Sequence, residues 1–333
     1  MLANYLKIAL RLLMRQKLYA AINIVGLAVG VACCVLIYLF VYHEWTYDAF
    51  HKKADRIYRV DIAMRQPNGD IRINGSSTPA PLALALRTSF PEVVRTVRLA
   101  SGAVDVQATD RVVSSQVLFA DPDFFQVFTF PLLSGNTSKA FSNDGGLILT
   151  ASAALGFFGP ADPIGKQVTL AYVSQEKSYT VVGVAADVPG NSSLRFDLVV
   201  PFEQCIYNTH AFFQHGLLTD WNLPLYTTFV ELANGVRVNV LESKLSPFIP
   251  SRWGKNTAIS SLGLQPLTRM RHDISVTSNY GVRDPLYSYI RTGIALMVLT
   301  LAFINYTTLA VGRSPVAHAR CACAKSWART AVN

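Results

Sequence analysis

Residues 19–42 read YAAINIVGLAVGVACCVLIYLFVY, a run from Tyr19 to Tyr42 with no charged side chain. A helix rises about 1.5 Å per residue, so the run is long enough to cross a hydrocarbon core of about 30 Å. A secretory signal has a shorter apolar core, about 7–15 residues, followed by a small-residue cleavage site. Here the run is longer and the bulky residues YLFVYHEW close it. Working outward, a second uncharged run, TGIALMVLTLAFINYTTLAV, covers Thr292–Val311; a buried core helix is the competing assignment for it. Together the two runs account for an uneven composition. Of 333 residues, 51% are hydrophobic and only 15% charged, against about 25% charged in a soluble domain.

The formal net charge of +9 points at first to nucleic acid, but its distribution argues against that. Lys7, Arg11, Arg15 and Lys17 precede the first run, and Arg313, Arg320, Lys325 and Arg329 follow the second, with no acid among them. All 21 acidic residues lie between Glu44 and Asp284, where they nearly balance the remaining bases. By the positive-inside rule this places both termini in the cytoplasm and exports the roughly 240 residues between the runs. Only Cys205 lies in that exported part, while Cys33 and Cys34 are in the first run and Cys321 and Cys323 in the tail. The exported domain therefore has no internal disulfide and must be held by its core.

The expected organisation is a cytoplasmic amphipathic helix over 1–18, a transmembrane helix over 19–42, a periplasmic domain over 43–287, a second transmembrane helix over 288–312 and a short tail over 313–333. In the first segment Lys7, Arg11 and Arg15 recur on one helical face opposite Tyr5, Ile8, Leu12 and Leu13, a pattern for lying on the inner membrane surface. Gly26 and Gly30 form a GxxxG that lets another helix approach closely, and Asn305 would seek an interhelical partner. The exported part reads as α+β in two lobes. Ile57–Ile62, a Pro-Asn-Gly turn and Ile71–Ile73 suggest a hairpin, with Arg59 and Asp61 on one face; Thr78–Phe90 suggests a helix with prolines in its first turn. Strands follow at 93–101, 104–109 and 111–120, then a strand and helix in LILTASAALGFFG, a hairpin in KQVTLAY and KSYTVVGVAADVP, and a last strand over 262–270. Residues Phe202 to Trp253 mix helix and strand signals without clear boundaries.

No phosphate-binding glycine loop, HExxH or CxxC spacing, or GxSxG elbow occurs. The six histidines are dispersed. The expectation is a non-enzymatic chain without cofactor or metal. Asn136-Thr-Ser and Asn191-Ser-Ser match a short glycosylation pattern that arises readily by chance.

Several stretches resemble the macrolide-exporter-type (MacB/FtsX-like) ABC transporter permeases. The first is NYLKIALRLLMRQKLYAAINIVGLAVGVACCVLIYLFVYHEWTYDAFHKKADRIYRV. Then, in order, come TPAPLALAL, FPEVVRTVRL, FADPDFFQVFTFPLLSG, FFGPADPIGKQVTL, VVGVAADVPGNSSLRFDLVV and LQPLT. Each is soft alone; their succession across residues 4–312 makes the resemblance specific. It implies a bacterial inner-membrane, multi-pass permease subunit with a periplasmic core domain after its first helix and three further helices beyond. It also implies a cytoplasmic ABC ATPase as partner, a second permease copy, and a possible periplasmic adaptor. In such systems ATP-driven motion of the helices is passed to the periplasmic domain, and the substrate need not cross between the helices. The alternative is a membrane-anchored periplasmic sensor, which would need a cytoplasmic output module after the second run.

The tail departs from that resemblance. The family continues with a stretch resembling RAREVGVRKVVGANRGQ, whereas here VAHARCACAKSWARTAVN follows Pro315. One back-translation of that tail, read from its third base, gives RAREVRVRKVVGANRGQ. The tail is therefore expected to be out of frame, with Cys321 and Cys323 neither a redox nor a metal pair, and the chain a truncated copy.

Overall fold

The structure, a computed structural model, describes residue 14 and residues 17–307 apart from 66–70, 110, 143–144, 210–215, 255–256, 274–275, 278–285, 288 and 305–306. Lys7, Arg11 and Arg15, Asn305 and the tail over 313–333 lie outside the described residues. Two compact units form: Met1–Trp45 with Pro285–Asn333, and Thr46–Asp284.

In the first unit, α1 (Lys17–Trp45) contains a 22-residue apolar stretch, Ile24–Trp45, with mean hydropathy 2.8 and few buried residues. By length and composition it suffices to cross a membrane. The second apolar helix is described over Tyr289–Ile304. The two helices touch along their length. Arg291 lies 4.2 Å over the Phe40 ring, Cys34 Sγ is 3.9 Å from the Ala295 carbonyl oxygen, and Gly30 is buried. A Cβ added at Gly30 would stand 3.0 Å from Ala302 Cβ, while Gly26 is half-buried.

The second unit is built on one 12-stranded sheet. Its strands are β1 (Ile57–Arg65), β2 (Ile71–Gly75), β3 (Val93–Ala108), β4 (Arg111–Ala120), β5 (Leu132–Gly135), β6 (Gly146–Thr150), β7 (Gln167–Ala171), β8 (Glu176–Ala185), β9 (Leu198–Pro201), β10 (Thr227–Leu232), β11 (Ile259–Pro266) and β12 (Val276–Thr277). Helices α2 (Pro81–Ser89), α3 (Phe124–Val127), α4 (Thr137–Ser142), α5 (Ala151–Phe158) and α6 (Val238–Trp253) decorate it. The main path runs β12-β2-β1-β10-β3-β4-β9-β6-β8-β5, with β11 on the free edge of β1 and β7 bridging β3 and β8.

The two expected lobes are not separate bodies. Strand β3, expected as two strands, is one strand of 16 residues. Its first half pairs with β10, its second half with β7, and its other edge carries β4 from Leu99 to Ala108. Alternation along β4 shows why the centre cannot face water. Val117 and Phe119 enter one apolar cluster with Leu149, Tyr179 and Phe202, while Leu118 and Ala120 enter another with Phe124, Phe128 and Phe229. A third cluster lies where α2 and α6 cover β1, β10 and β11, through Leu82, Leu86, Leu241, Leu245, Val60 and Val230. Strands buried on both faces read as continuous apolar runs.

Local signals explain most elements. The β1–β2 hairpin forms as expected. Pro81 opens α2, Thr150 caps α5 by accepting a hydrogen bond from the Ala153 amide, and the β7–β8 hairpin is antiparallel. One expectation fails. The last strand stops at Pro266, and Leu267–His272 turns into a 3₁₀ helix before β12 adds a further short strand. On β1, Arg59 is fully buried and forms a two-pronged ion pair with Asp61, at 2.6 and 3.0 Å. Helix α6 was illegible because Pro247 and Pro250 sit inside it, against the usual breaking rule.

Asp61→Ala should cost about 3 kcal/mol in unfolding measurements, because it removes one partner of a buried, two-pronged ion pair. Gly135, at φ 89°, has no room for a side chain: a Cβ would overlap the Val182 carbonyl oxygen. Gly135→Ala should therefore cost about 2–4 kcal/mol. Gly263→Ala, with nothing within 4 Å, should stay within about 0.5 kcal/mol.

Candidate functional site: an entry clasp

Among the described residues no group of three or more His, Cys, Asp or Glu is placed to hold a metal. Cys205 is buried, and burial pushes its thiol up to about 12, so it is not a ready nucleophile. The densest polar construction of the second unit lies instead at its first residues, Thr46–Arg56, which follow α1 directly in the chain.

This segment grips three separate parts of the body. First, it is tied to the loop after β8. The Asp48 amide donates to the Asn191 carbonyl at 2.9 Å, and the Ser193 amide donates to Asp48 Oδ1 at 2.7 Å. The Asn191 side-chain amide donates to the Thr46 carbonyl at 2.9 Å, and the Tyr47 hydroxyl to the Gly190 carbonyl at 3.3 Å. Asp48 sits at φ 56°, a left-handed conformation that Asp tolerates better than most residues. Second, the segment docks on the turn after α3. The Thr129 amide donates to His51 Nδ1 and the Lys52 amide to Thr129 Oγ1, both at 2.9 Å, and Lys53 Nζ reaches the Gln126 carbonyl. Third, it reaches the sheet at Glu231 on β10. That carboxylate is only 3% exposed and collects Lys53 at 2.9 Å, Arg95 at 3.1 Å and Arg56 at 3.7 Å.

The return segment joins the same place. The Arg271 guanidinium lies 3.6 Å over the Tyr47 ring, and its charge is felt at Asp48. The start and the end of the described body are thus stapled together.

Burial dominates the electrostatics. It raises the Asp48 carboxyl, against lowering contributions from its Ser193 hydrogen bonds and from Arg271. It lowers His51 to about 4. His51 is enclosed by the rings of Phe50, Phe130 and Phe128, at 4.1, 5.2 and 5.3 Å. Aromatic faces attract a cation by about 0.5–2 kcal/mol. The displacement of His51 corresponds to about 3 kcal/mol in favour of the neutral ring. Desolvation wins, and the imidazole is neutral.

Of the residues singled out from sequence, Gly26 and Gly30 belong to the first unit, and Lys7, Arg11, Arg15 and Asn305 lie outside the described residues. None belongs to the clasp. Most of its members were legible only as parts of three resembling stretches, YHEWTYDAFHKKADRIYRV, FADPDFFQVFTFPLLSG and VVGVAADVPGNSSLRFDLVV; Arg95 lies in a fourth, FPEVVRTVRL, and Glu231 and Arg271 lie in none. The fold brings residues from all three together; Asn191 and Thr46 are 145 positions apart. Asn191, which the sequence offered as part of a chance glycosylation pattern, spends its side chain on Thr46.

A family model described as the MacB-like periplasmic core domain matches residues 20–248. None of the curated proteins compared matches the chain. Among solved structures, a domain assigned to a permease protein from Porphyromonas gingivalis is similar at TM-score 0.56 and 21% identity, covering 72% of this chain and 98% of that one; this supports the architecture. The periplasmic region of MacB from Actinobacillus actinomycetemcomitans (TM-score 0.45, 13% identity) covers 67% of this chain and 94% of its own. The extracellular domain of the noncanonic ABC-type transporter YknZ from Gram-positive bacteria (TM-score 0.44, 14% identity) covers 63% and 99%. With the family model spanning well over half its length, the chain belongs to the MacB-like periplasmic core domain family of ABC transporter permeases.

Proposed function

We propose that the chain is a permease subunit of the mechanotransmission type, in which ATP hydrolysis by a cytoplasmic partner ATPase drives work by the periplasmic domain. The carrying observation is the entry clasp. The first residues after α1 are bonded to a loop, a turn and a central strand at once, and the return segment is stapled to them through Arg271 and Tyr47. Force delivered to Thr46–Arg56 would reach the sheet through these bonds. A transmembrane pair with both termini cytoplasmic, a second permease copy and a periplasmic adaptor belong to the same reading. So does the absence of catalysis in this chain, ATP hydrolysis being assigned to the partner.

The Arg271–Tyr47 contact is a small part of the stability and a large part of the proposed coupling. Arg271→Ala should lower unfolding stability by only about 1 kcal/mol. Yet it should abolish the change in ectodomain protease protection that a non-hydrolysable ATP analogue produces in the permease–ATPase complex. An unchanged nucleotide response in this variant argues against the clasp as the transmission point. The assignment itself is tested by co-expression with the cytoplasmic ABC ATPase proposed as its partner. Co-purification in detergent is expected, and its failure counts against the permease reading.

A further inference from the structure

We propose that His51 is an acid release for the entry clasp: its neutral imidazole locks Thr46–Lys53 onto the body, and uptake of a proton expels the ring and frees the segment. The regulatory meaning of this latch rests on the coupling role proposed above.

The geometry admits only one protonation state. His51 Nδ1 accepts the hydrogen bond from the Thr129 amide at 2.9 Å. A proton at Nδ1 would set donor against donor. The remaining proton is therefore on Nε2, which is buried and has no hydrogen-bond partner among the described residues. The rings of Phe50, Phe128 and Phe130 supply no acceptor for an imidazolium. Once the ring leaves, Thr129 loses its acceptor, and the Lys52–Thr129 bond that depends on the same register is exposed.

The charged groups around the clasp are Asp48, Lys52, Lys53, Asp55 and Arg56 on the same segment, Arg271 from the return segment, Arg195 from the loop after β8, Arg95 from β3 and Glu231 from β10. None of them contributes to the displacement of His51, whose only cause is burial. In the closed clasp the ring titrates at about 4, in the released one at its ordinary 6.5. Closure is thus unpenalised above pH 6.5 and weakens as pH falls toward 4. The linkage predicts that the opening constant rises roughly fifty-fold between pH 7 and pH 4.5. Asp48 acts in the opposite sense: its carboxyl is raised in the closed clasp, so its protonation favours closure. Asp48→Asn keeps an acceptor for Ser193, suits the left-handed backbone and removes that opposing titration.

The test is amide hydrogen exchange of the full chain in detergent at about pH 7 and about pH 4.5, corrected for intrinsic rates. In the wild type and in Asp48→Asn, peptides containing Lys52 and Thr129 should lose tens-fold protection in acid while β10 keeps its own. His51→Asn, which retains an acceptor for Thr129, should remove the acid effect. Retained protection at Lys52 and Thr129 in acid overturns the proposal. So does loss spread evenly over the sheet, or an equal local loss in His51→Asn. Should that variant fail to fold, the wild-type contrast between Thr129 and β10 decides alone. No ATPase enters the measurement, so a negative result leaves the permease reading standing, and a failed co-purification leaves the latch standing.

Discussion

A single residue, Asp48, sets the geometry on which the clasp depends. Its backbone turns left-handed at φ 56°, its amide and carboxylate are both spent on the loop after β8, and its side chain is fully buried. That conformation costs energy unless its surroundings over-determine it. Here they do: Asn191 and Ser193 hold it from one side, and the return segment brings the Arg271 charge from the other. With Asp48 fixed, Tyr47 faces Arg271 and His51 reaches the aromatic cage.

The same economy governs charge elsewhere in the body. Its acids and bases nearly balance in number, and the structure sorts them into local pairs. Glu231 faces three cations, Arg98 faces Asp121 at 2.6 Å and Glu203 at 3.1 Å, and Arg59 and Asp61 neutralise each other inside β1. The buried ones among these pairs contribute little beyond what apolar side chains would. They do fix register, because a slipped strand would strand a charge. Strand β1 is where this constraint is tightest, since β10, β2 and β11 all pair with it.

The legible elements were those whose signals are short-range. A hairpin such as β7–β8 needs only alternation and a turn, α2 needs a proline at its start, and α1 needs an uninterrupted apolar run. The illegible ones depended on distant partners. The merging of two expected strands into β3 is decided by β10, β4 and β7, which come from elsewhere in the chain. The early end of the last strand follows from Pro266, whose missing amide was visible but whose pairing with Tyr58 was not. The family match ends at residue 248, yet β11 lines β1 from Tyr58 to Met64 and belongs to the same sheet.

From the amino-acid order alone came a long uncharged helix, a mixed α/β body and the succession of stretches that resembles the permease family. These follow from hydropathy and periodicity, which act between neighbours in the chain. Only the tertiary structure decided that Arg59 and Asp61 would be buried, that His51 would be held neutral and that the entry and return segments would meet at Tyr47 and Arg271. Burial and pairing of this kind arise between residues far apart in sequence, and no local pattern encodes the company a side chain will keep.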